Sequence, residues 1–159
     1  MKHFLLLSVF GIFMLSLNSC YKEKFETSGD AQLRFSRDTM VFDTVFTTQG
    51  SATRILKVYN DANLPVIIDK IELQEENGVH FRFNFDGISG TEIENVEVPG
   101  KDSIYIFGEV TIDPNAPLSS SPFVVEGKLN FETNGNNQSV QLEAWGQNAN
   151  YIPANATKG

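Results

Sequence analysis

Ser103-Ile104-Tyr105-Ile106-Phe107-Gly108-Glu109-Val110-Thr111-Ile112 is the stretch that decides the fold class. Ile104, Ile106, Gly108, Val110 and Ile112 fall on one side of an extended chain, and Ser103, Tyr105, Phe107, Glu109 and Thr111 on the other. A period of two is the mark of a strand with one face in a core, because successive side chains of extended backbone point to opposite sides. The same pattern recurs outward from this segment. Phe81, Phe83 and Phe85 oppose His80, Arg82 and Asn84; Leu129, Phe131 and Thr133 oppose Lys128, Asn130 and Glu132. Val140, Leu142 and Ala144 oppose Gln141, Glu143 and Trp145. Apolar-in, polar-out alternation belongs to antiparallel sheets with one solvated face.

Turn chemistry separates these runs. Asn60-Asp61-Ala62-Asn63, Asn77-Gly78, Asp86-Gly87 and Pro99-Gly100-Lys101-Asp102 supply the residues that tolerate tight or left-handed backbone. Asn134-Gly135-Asn136-Asn137 lies between two alternating runs and predicts a hairpin. Asp113 to Pro122 is rich in Pro and Ser and reads as an exposed loop crossing between sheets. No window after Cys20 carries a helical period. About seven or eight short strands at turn-to-turn intervals of roughly ten residues predict an all-β, antiparallel β-sandwich.

The N-terminus reads differently. Lys2 is followed by a run that is apolar all round, from Phe4 through Leu17. It lacks the stripe of a core helix, is short for a membrane span of about 20 residues, and ends without an A-x-A-like cleavage site. It ends in Leu17-Asn18-Ser19-Cys20, and Cys20 is the single cysteine of the chain. This junction resembles the lipobox of bacterial lipoproteins, with Leu17 at −3, Asn18 at −2, where Ala, Ser or Thr is commoner, and Ser19 at −1. The resemblance implies cleavage before Cys20, a diacylglycerol on its thiol and a further acyl chain such as palmitate on the new N-terminus. Stable anchoring needs more than one chain. The expected organisation is a signal peptide over 1–19, lipidated Cys and flexible tether over 20–31, sandwich over 32–148, and tail or linker over 149–159. The expected address is the bacterial cell envelope, as an outer-membrane lipoprotein of a Gram-negative cell.

The order of the pieces within the sandwich resembles the immunoglobulin-like domains of the ASPM–SPD-2–Hydin and choice-of-anchor type, relatives of major sperm protein. The matching pieces are Met40-Val41-Phe42, Leu56-Lys57-Val58-Tyr59-Asn60, Leu64-Pro65-Val66-Ile67-Ile68 and Val98-Pro99-Gly100. Val110-Thr111-Ile112-Asp113-Pro114, Leu129 to Asn134 and Val140 to Gly146 complete the series. The likeness covers about residues 33–148. It extends to bacterial lipoproteins in which a right-handed parallel β-helix follows such a domain, which implies that this chain is the front part, or a shortened relative, of one.

Composition narrows function further. The chain carries 12 Lys and Arg against 20 Asp and Glu, a net charge of −8. Removing residues 1–19 takes away Lys2 and makes the balance 11 against 20, or −9. An acidic domain without a basic cluster excludes nucleic acid as a partner. With one cysteine there is no disulfide, so stability rests on the core.

Catalysis requires a nucleophile with a positioned base. After cleavage His80 is the one histidine, Cys20 is taken by lipid, and no Gly-x-Ser-x-Gly occurs. Glu72, Glu75, Glu76, Glu92, Glu94 and Glu97 read as solvent-face residues rather than a glycosidase pair. A zinc site needs a Cys or His cluster; Asp61 with Asn63, or Asn134 with Asn136 and Asn137, read as turn chemistry rather than calcium ligands. The expectation is no enzyme, no catalytic residue, no cofactor and no metal. Tyr105, Phe107 and Trp145 stand opposite the buried series and form a candidate contact face for a glycan, another envelope protein or a following β-helix domain. Asp38-Thr39-Met40, Asp43-Thr44-Val45 and Asp102-Ser103-Ile104 match a short O-glycosylation motif of some exported proteins, which makes Thr39, Thr44 and Ser103 candidate acceptors. The expected role is a lipid-anchored spacer or interaction module, with glycan binding, or service as the front module of a β-helix enzyme or adhesin, as the alternatives.

Overall fold

The computed structural model describes residues 24–46, 50–75, 79–112 and 123–147. The signal peptide, Leu17, Asn18, Ser19 and Cys20, the Asp113–Pro122 loop and the tail from residue 149 lie outside the described residues. Among those described there are ten strands and no helix: β1 (Arg34–Phe35), β2 (Thr39–Phe46), β3 (Arg54–Tyr59), β4 (Val66–Glu75), β5 (Val79–Phe85), β6 (Ile88–Gly90), β7 (Glu92–Val98), β8 (Ser103–Ile112), β9 (Phe123–Thr133) and β10 (Asn136–Gln147). Eight have six residues or more; β1 and β6 have two and three.

They form an immunoglobulin-like sandwich of two five-stranded sheets, β1-β3-β8-β5-β6 and β2-β10-β9-β4-β7. One pair departs from the expected antiparallel plan: β2 runs parallel to β10. The alternation is honoured in β3, β5, β8, β9 and β10. Ile104, Ile106, Val110 and Ile112 of β8 meet Leu129, Phe131, Val140 and Leu142 of the other sheet in one buried cluster. Phe81, Phe83 and Phe85 project from β5 into the same core, their rings 6.4 and 5.9 Å apart in sequence order, and Phe42 closes on Phe81 at 5.4 Å. Each such side chain removed from water contributes about 1.5–3 kcal/mol, so these rings stand in for the missing disulfide.

The predicted turn at Asp86-Gly87 and the predicted hairpin at Asn134-Gly135 use the same device. Asp86 and Gly87 have φ of 47° and 99°, and Asn134 and Gly135 have 50° and 77°. Two successive positive φ values define the turn whose twist matches paired strands, and Asp-Gly and Asn-Gly are the dipeptides that adopt it. Alternation breaks where the backbone bulges. Met40 and Phe42 point inward, Asp43 and Thr44 both point outward, and Val45 returns to the core. Asp43 has φ 56°, and the β2–β10 register slips between Glu143 and Trp145. The extra residue on β2 absorbs the slip.

Residues 26–33 are not free. Glu26 N–H donates to Pro65 O at 2.8 Å, and Asn134 Nδ2 donates to the carbonyls of Glu26 and Ser28 at 3.1 and 3.3 Å. Asn136 Nδ2 donates to Gly29 O at 2.6 Å. Gln138 brackets Leu33: its Oε1 accepts from Leu33 N–H and its Nε2 donates to Leu33 O, both at 2.9 Å. The expected tether through residue 31 is therefore a strap on the domain from Glu26 onward. Amide side chains of the last hairpin supply the clasp, and of these Asn134 and Asn136 read in sequence as turn residues.

Candidate functional site: an aromatic and cationic outer face

The register of the first sheet sets its outward side chains in cross-strand rungs. Arg34 faces Tyr59, which faces Ser103. Lys57 faces Tyr105; Ile55 faces Phe107, which faces Asn84; Glu109 faces Arg82. The rings of Tyr105 and Phe107 are 6.4 Å apart and nearly parallel, at 18°. The Arg34 guanidinium lies 4.1 Å from the centre of the Tyr59 ring, and the Lys57 ammonium sits 5.2 Å from Tyr59 and 4.7 Å from Tyr105. A cation within about 6 Å of a ring face is drawn to it, so the strip alternates ring and charge along its length.

The polar groups of this face have a clear order. Arg34 makes a bidentate pair with Asp61, Nε to Oδ2 at 2.7 Å and Nη2 to Oδ1 at 2.9 Å. That pairing holds the Asp61 carboxyl below, and the Arg34 guanidinium above, their ordinary ranges. Hydrogen bonding to the Tyr105 side chain, the largest cause, raises Lys57 above the ordinary lysine range. Thr53 Oγ1 donates to Glu109 Oε1 at 2.7 Å, while Arg82 reaches Glu109 Oε2 only at 4.0 Å. Beside Phe107 an open groove of about 700 Å3 runs toward β6; Phe81, Phe83 and Phe107 make its lining mainly apolar, and Thr53, Arg82, Asn84, Ser89, Thr91 and Glu109 add polar groups.

The opposite outer face is its electrostatic complement. It carries Glu72 on β4, Glu92, Glu94 and Glu97 on β7, Glu126 and Glu132 on β9 and Glu143 on β10, against Lys70 and Lys128. Lys70 bridges Glu92 at 3.1 Å and Glu72 at 3.5 Å, contacts that raise it above the ordinary lysine range. The acidic balance of the chain is thus concentrated on one sheet.

This partition divides the contact face expected from sequence. Tyr105 and Phe107 come together on β8, but Trp145, 47% exposed, lies on the outer side of β10 in the other sheet. Alternation separates inward from outward residues yet is blind to which sheet a strand joins. The structure instead brings Tyr59, Ile55, Lys57 and Arg82 to the Tyr105 and Phe107 rings. The signal in sequence was the alternation of Ile55, Lys57 and Tyr59 against Leu56 and Val58, which only the β3–β8 register turns into neighbours.

The other candidates are scattered. Thr44 is exposed beyond the β2 bulge, whereas Thr39 and Ser103 are half-buried. The carboxylate of Asp43 pairs with Arg54, and that of Asp102 accepts from Ser103 N–H at 2.7 Å. His80 is 65% exposed at its side chain, 3.8 Å from Glu75, whose other oxygen accepts from Phe81 N–H at 3.0 Å. Among the described residues no three His, Cys, Asp or Glu side chains gather as metal ligands.

No protein-family model and no curated protein matches this chain. Solved structures with a similar fold include a family 123 glycoside hydrolase from Clostridium perfringens, at 8% identity and TM-score 0.46, covering 70% of this chain. This chain spans only 23% of that enzyme's length. They also include the CooA pilin subunit from enterotoxigenic Escherichia coli, at 6% identity and TM-score 0.45, covering 74% of this chain and 99% of the pilin. A FixG-related protein from Vibrio parahaemolyticus aligns at 14% identity and TM-score 0.44, covering 76% and 98% of the two chains. At such distances no ligand, partner or activity passes from them to this chain.

Proposed function

We propose that the chain is a lipoprotein anchored through Cys20 in a bacterial envelope, expected at the outer membrane, and that it works as a non-catalytic spacer and interaction module. One observation carries this reading. The strap of residues 26–33 is clasped at the end of the sandwich that bears Pro65 and the Asn134–Gly135 turn. The last strand then runs the whole sheet from Asn136, beside that turn, to Gln147 at the other end. The clasped strap and the end of β10 therefore lie at opposite ends of the sandwich. Six residue steps separate Cys20 from Glu26, a reach of at most about 20 Å. A lipid on Cys20 would hold the clasped end near the membrane and turn the other end away.

Replacing Cys20 by Ser tests the anchor. The variant should leave the membrane fraction and take up no fatty-acid label; a Cys20→Ser chain that is still labelled refutes the proposal.

A second reading, glycan binding, is favoured by the stacked Tyr105 and Phe107 rings at the mouth of a mainly apolar groove that also carries hydroxyl, amide and guanidinium groups. Sugar rings present apolar C–H faces and a rim of hydroxyls, which suit such a platform. A glycan array on the detergent-solubilised protein separates the readings. Binding lost with Phe107→Ala supports a glycan site, and an array without a single bound member leaves the spacer alone.

A further inference from the structure

The charge on the aromatic face asks for an explanation that solubility does not give. In a chain of net charge −8, Arg34, Lys57 and Arg82 project outward from one sheet against Glu109 alone on the rungs that hold the rings. Arg34 is neutralised by Asp61. Arg82 is paired only at long range, and among the described residues Lys57 has no direct carboxylate partner, with Asp102 the acidic group that acts on it. The Lys57 ammonium lies over two tyrosine rings. Arg82 meets Glu109 only at 4.0 Å, and Thr53 already occupies the other oxygen of that carboxylate. Two cations thus flank the Tyr105 and Phe107 rings, Lys57 half-buried against the tyrosines and Arg82 with a side chain 67% exposed.

We propose that this face binds an anionic glycan, with Tyr105 and Phe107 stacking against sugar rings and Lys57 and Arg82 contacting its carboxylate, sulfate or phosphate groups. The proposal rests on the glycan reading above and narrows it. Charge complementarity sets the sign of the ligand. The groove sets its class: Thr53, Asn84, Ser89 and Thr91 add short hydroxyl and amide groups beside the Phe107 ring, a set suited to sugar hydroxyls. An acidic peptide adding as a strand has little to pair with, because the edges of this sheet are strands of two and three residues. The acidic sheet does not cancel the attraction. Its carboxylates point to solvent on the far side of two sheets packed about 10 Å apart, so a ligand on the aromatic face meets Lys57 and Arg82 at contact distance and the carboxylates only from across the sandwich. The acidic sheet does discourage the same polyanion from settling on the Trp145 side.

The test uses the detergent-solubilised full chain on an array of uronate-, sulfate- and phosphate-bearing oligosaccharides beside neutral ones, followed by titration of the tightest binder. Acidic members should bind, more weakly as salt rises. Lys57→Gln and Arg82→Gln should each weaken binding about fivefold and flatten the salt dependence, and Phe107→Ala about tenfold. Lys57→Arg should retain binding, and Trp145→Ala should leave it unchanged. Neutral members bound as tightly as acidic ones would overturn the anionic ligand while leaving the glycan reading in place. Poly-glutamate bound as tightly would overturn the glycan, and an array with nothing bound would sink both. Acidic binding indifferent to Lys57→Gln and Arg82→Gln would remove the site from this face.

Discussion

Asn60 is the residue on which the clasped end of the sandwich turns. Its side chain is 3% exposed; Nδ2 donates toward the carbonyls of Leu64, Val98 and Pro99 at 2.8, 3.0 and 3.2 Å, and Oδ1 accepts from Ala62 N–H at 2.9 Å. One amide therefore ties the β3–β4 turn to the β7–β8 turn. Asn60→Ala should cost about 2 kcal/mol, the price of leaving buried carbonyls without a donor. Asn60→Asp should cost more at neutral pH, since it aims a carboxylate at three carbonyl oxygens, and the gap should narrow as the solution is acidified. Chemical denaturation of the two variants across pH reads this directly; equal losses at neutral pH would mean that the carboxylate is not held against the carbonyls, and a neutral Asn60→Ala that the amide donors matter little. Gly108 makes a steric point of the same kind. It faces inward on β8 opposite Phe83, and a Cβ there would come within 2.5 Å of the Phe83 ring and 3.2 Å of Phe42. Gly108→Ala should destabilise by about 1–3 kcal/mol through overpacking, and Phe83→Leu in the same chain should recover part of it. A neutral Gly108→Ala would show that the rings can move aside.

At the scale of elements, the strap and the acidic sheet each make a measurable claim. Gln138 imitates a strand neighbour by bonding both the N–H and the C=O of Leu33. Gln138→Ala should speed amide exchange at Leu33 by about tenfold, a loss of roughly 1–1.5 kcal/mol for two part-buried bonds, while β8 amides keep their rates. Unchanged exchange at Leu33 would mean that the strap is held by other contacts. On the acidic sheet Glu126 and Glu143 are direct cross-strand partners, and like charges so placed repel. Glu143→Lys should stabilise by about 0.2–1 kcal/mol, with thermal melts at low salt as the measure; a lower melting point would refute it. These elements also show what sequence can and cannot say. The in-and-out assignment of β5, β8, β9 and β10 follows from period two, and both Asp-Gly and Asn-Gly turns from their need for positive φ. The parallel pairing of β2 with β10 follows from neither, since pairing direction leaves no mark on alternation. The bulge at Asp43 is hidden in a stretch of mixed polarity, and the placing of Trp145 apart from Tyr105 depends on long-range register. In the clasp, Asn134 and Asn136 were legible only as turn chemistry and Gln138 carried no signal, because an amide that caps a hairpin and one that grips a distant backbone are the same residue.

For the whole molecule, polarity along the strands and polarity across the sheets are independent and combine. Along the strands, the strap fixes the membrane-proximal end proposed for a chain lipidated at Cys20, and β10 carries the backbone to the other end over 12 residues, a rise of roughly 35 Å. Across the sheets, the acidic and the aromatic–cationic faces look away from each other, at right angles to that axis. A domain anchored this way presents the aromatic face sideways, open to a polymer lying along the membrane, and delivers its last strand outward. Distance is the decisive measurement. With Cys20 acylated, a cysteine introduced at exposed Thr27 or at Gln147 becomes the one thiol available for a fluorophore. Energy transfer to acceptors in the lipid head groups should place the Gln147 probe roughly 35 Å farther from the membrane than the Thr27 probe. The six-step tether is short enough that tilting erodes the difference without reversing it. Equal distances would mean that the sandwich lies flat, and would end the spacer reading while leaving the anchor and the binding face to their own tests.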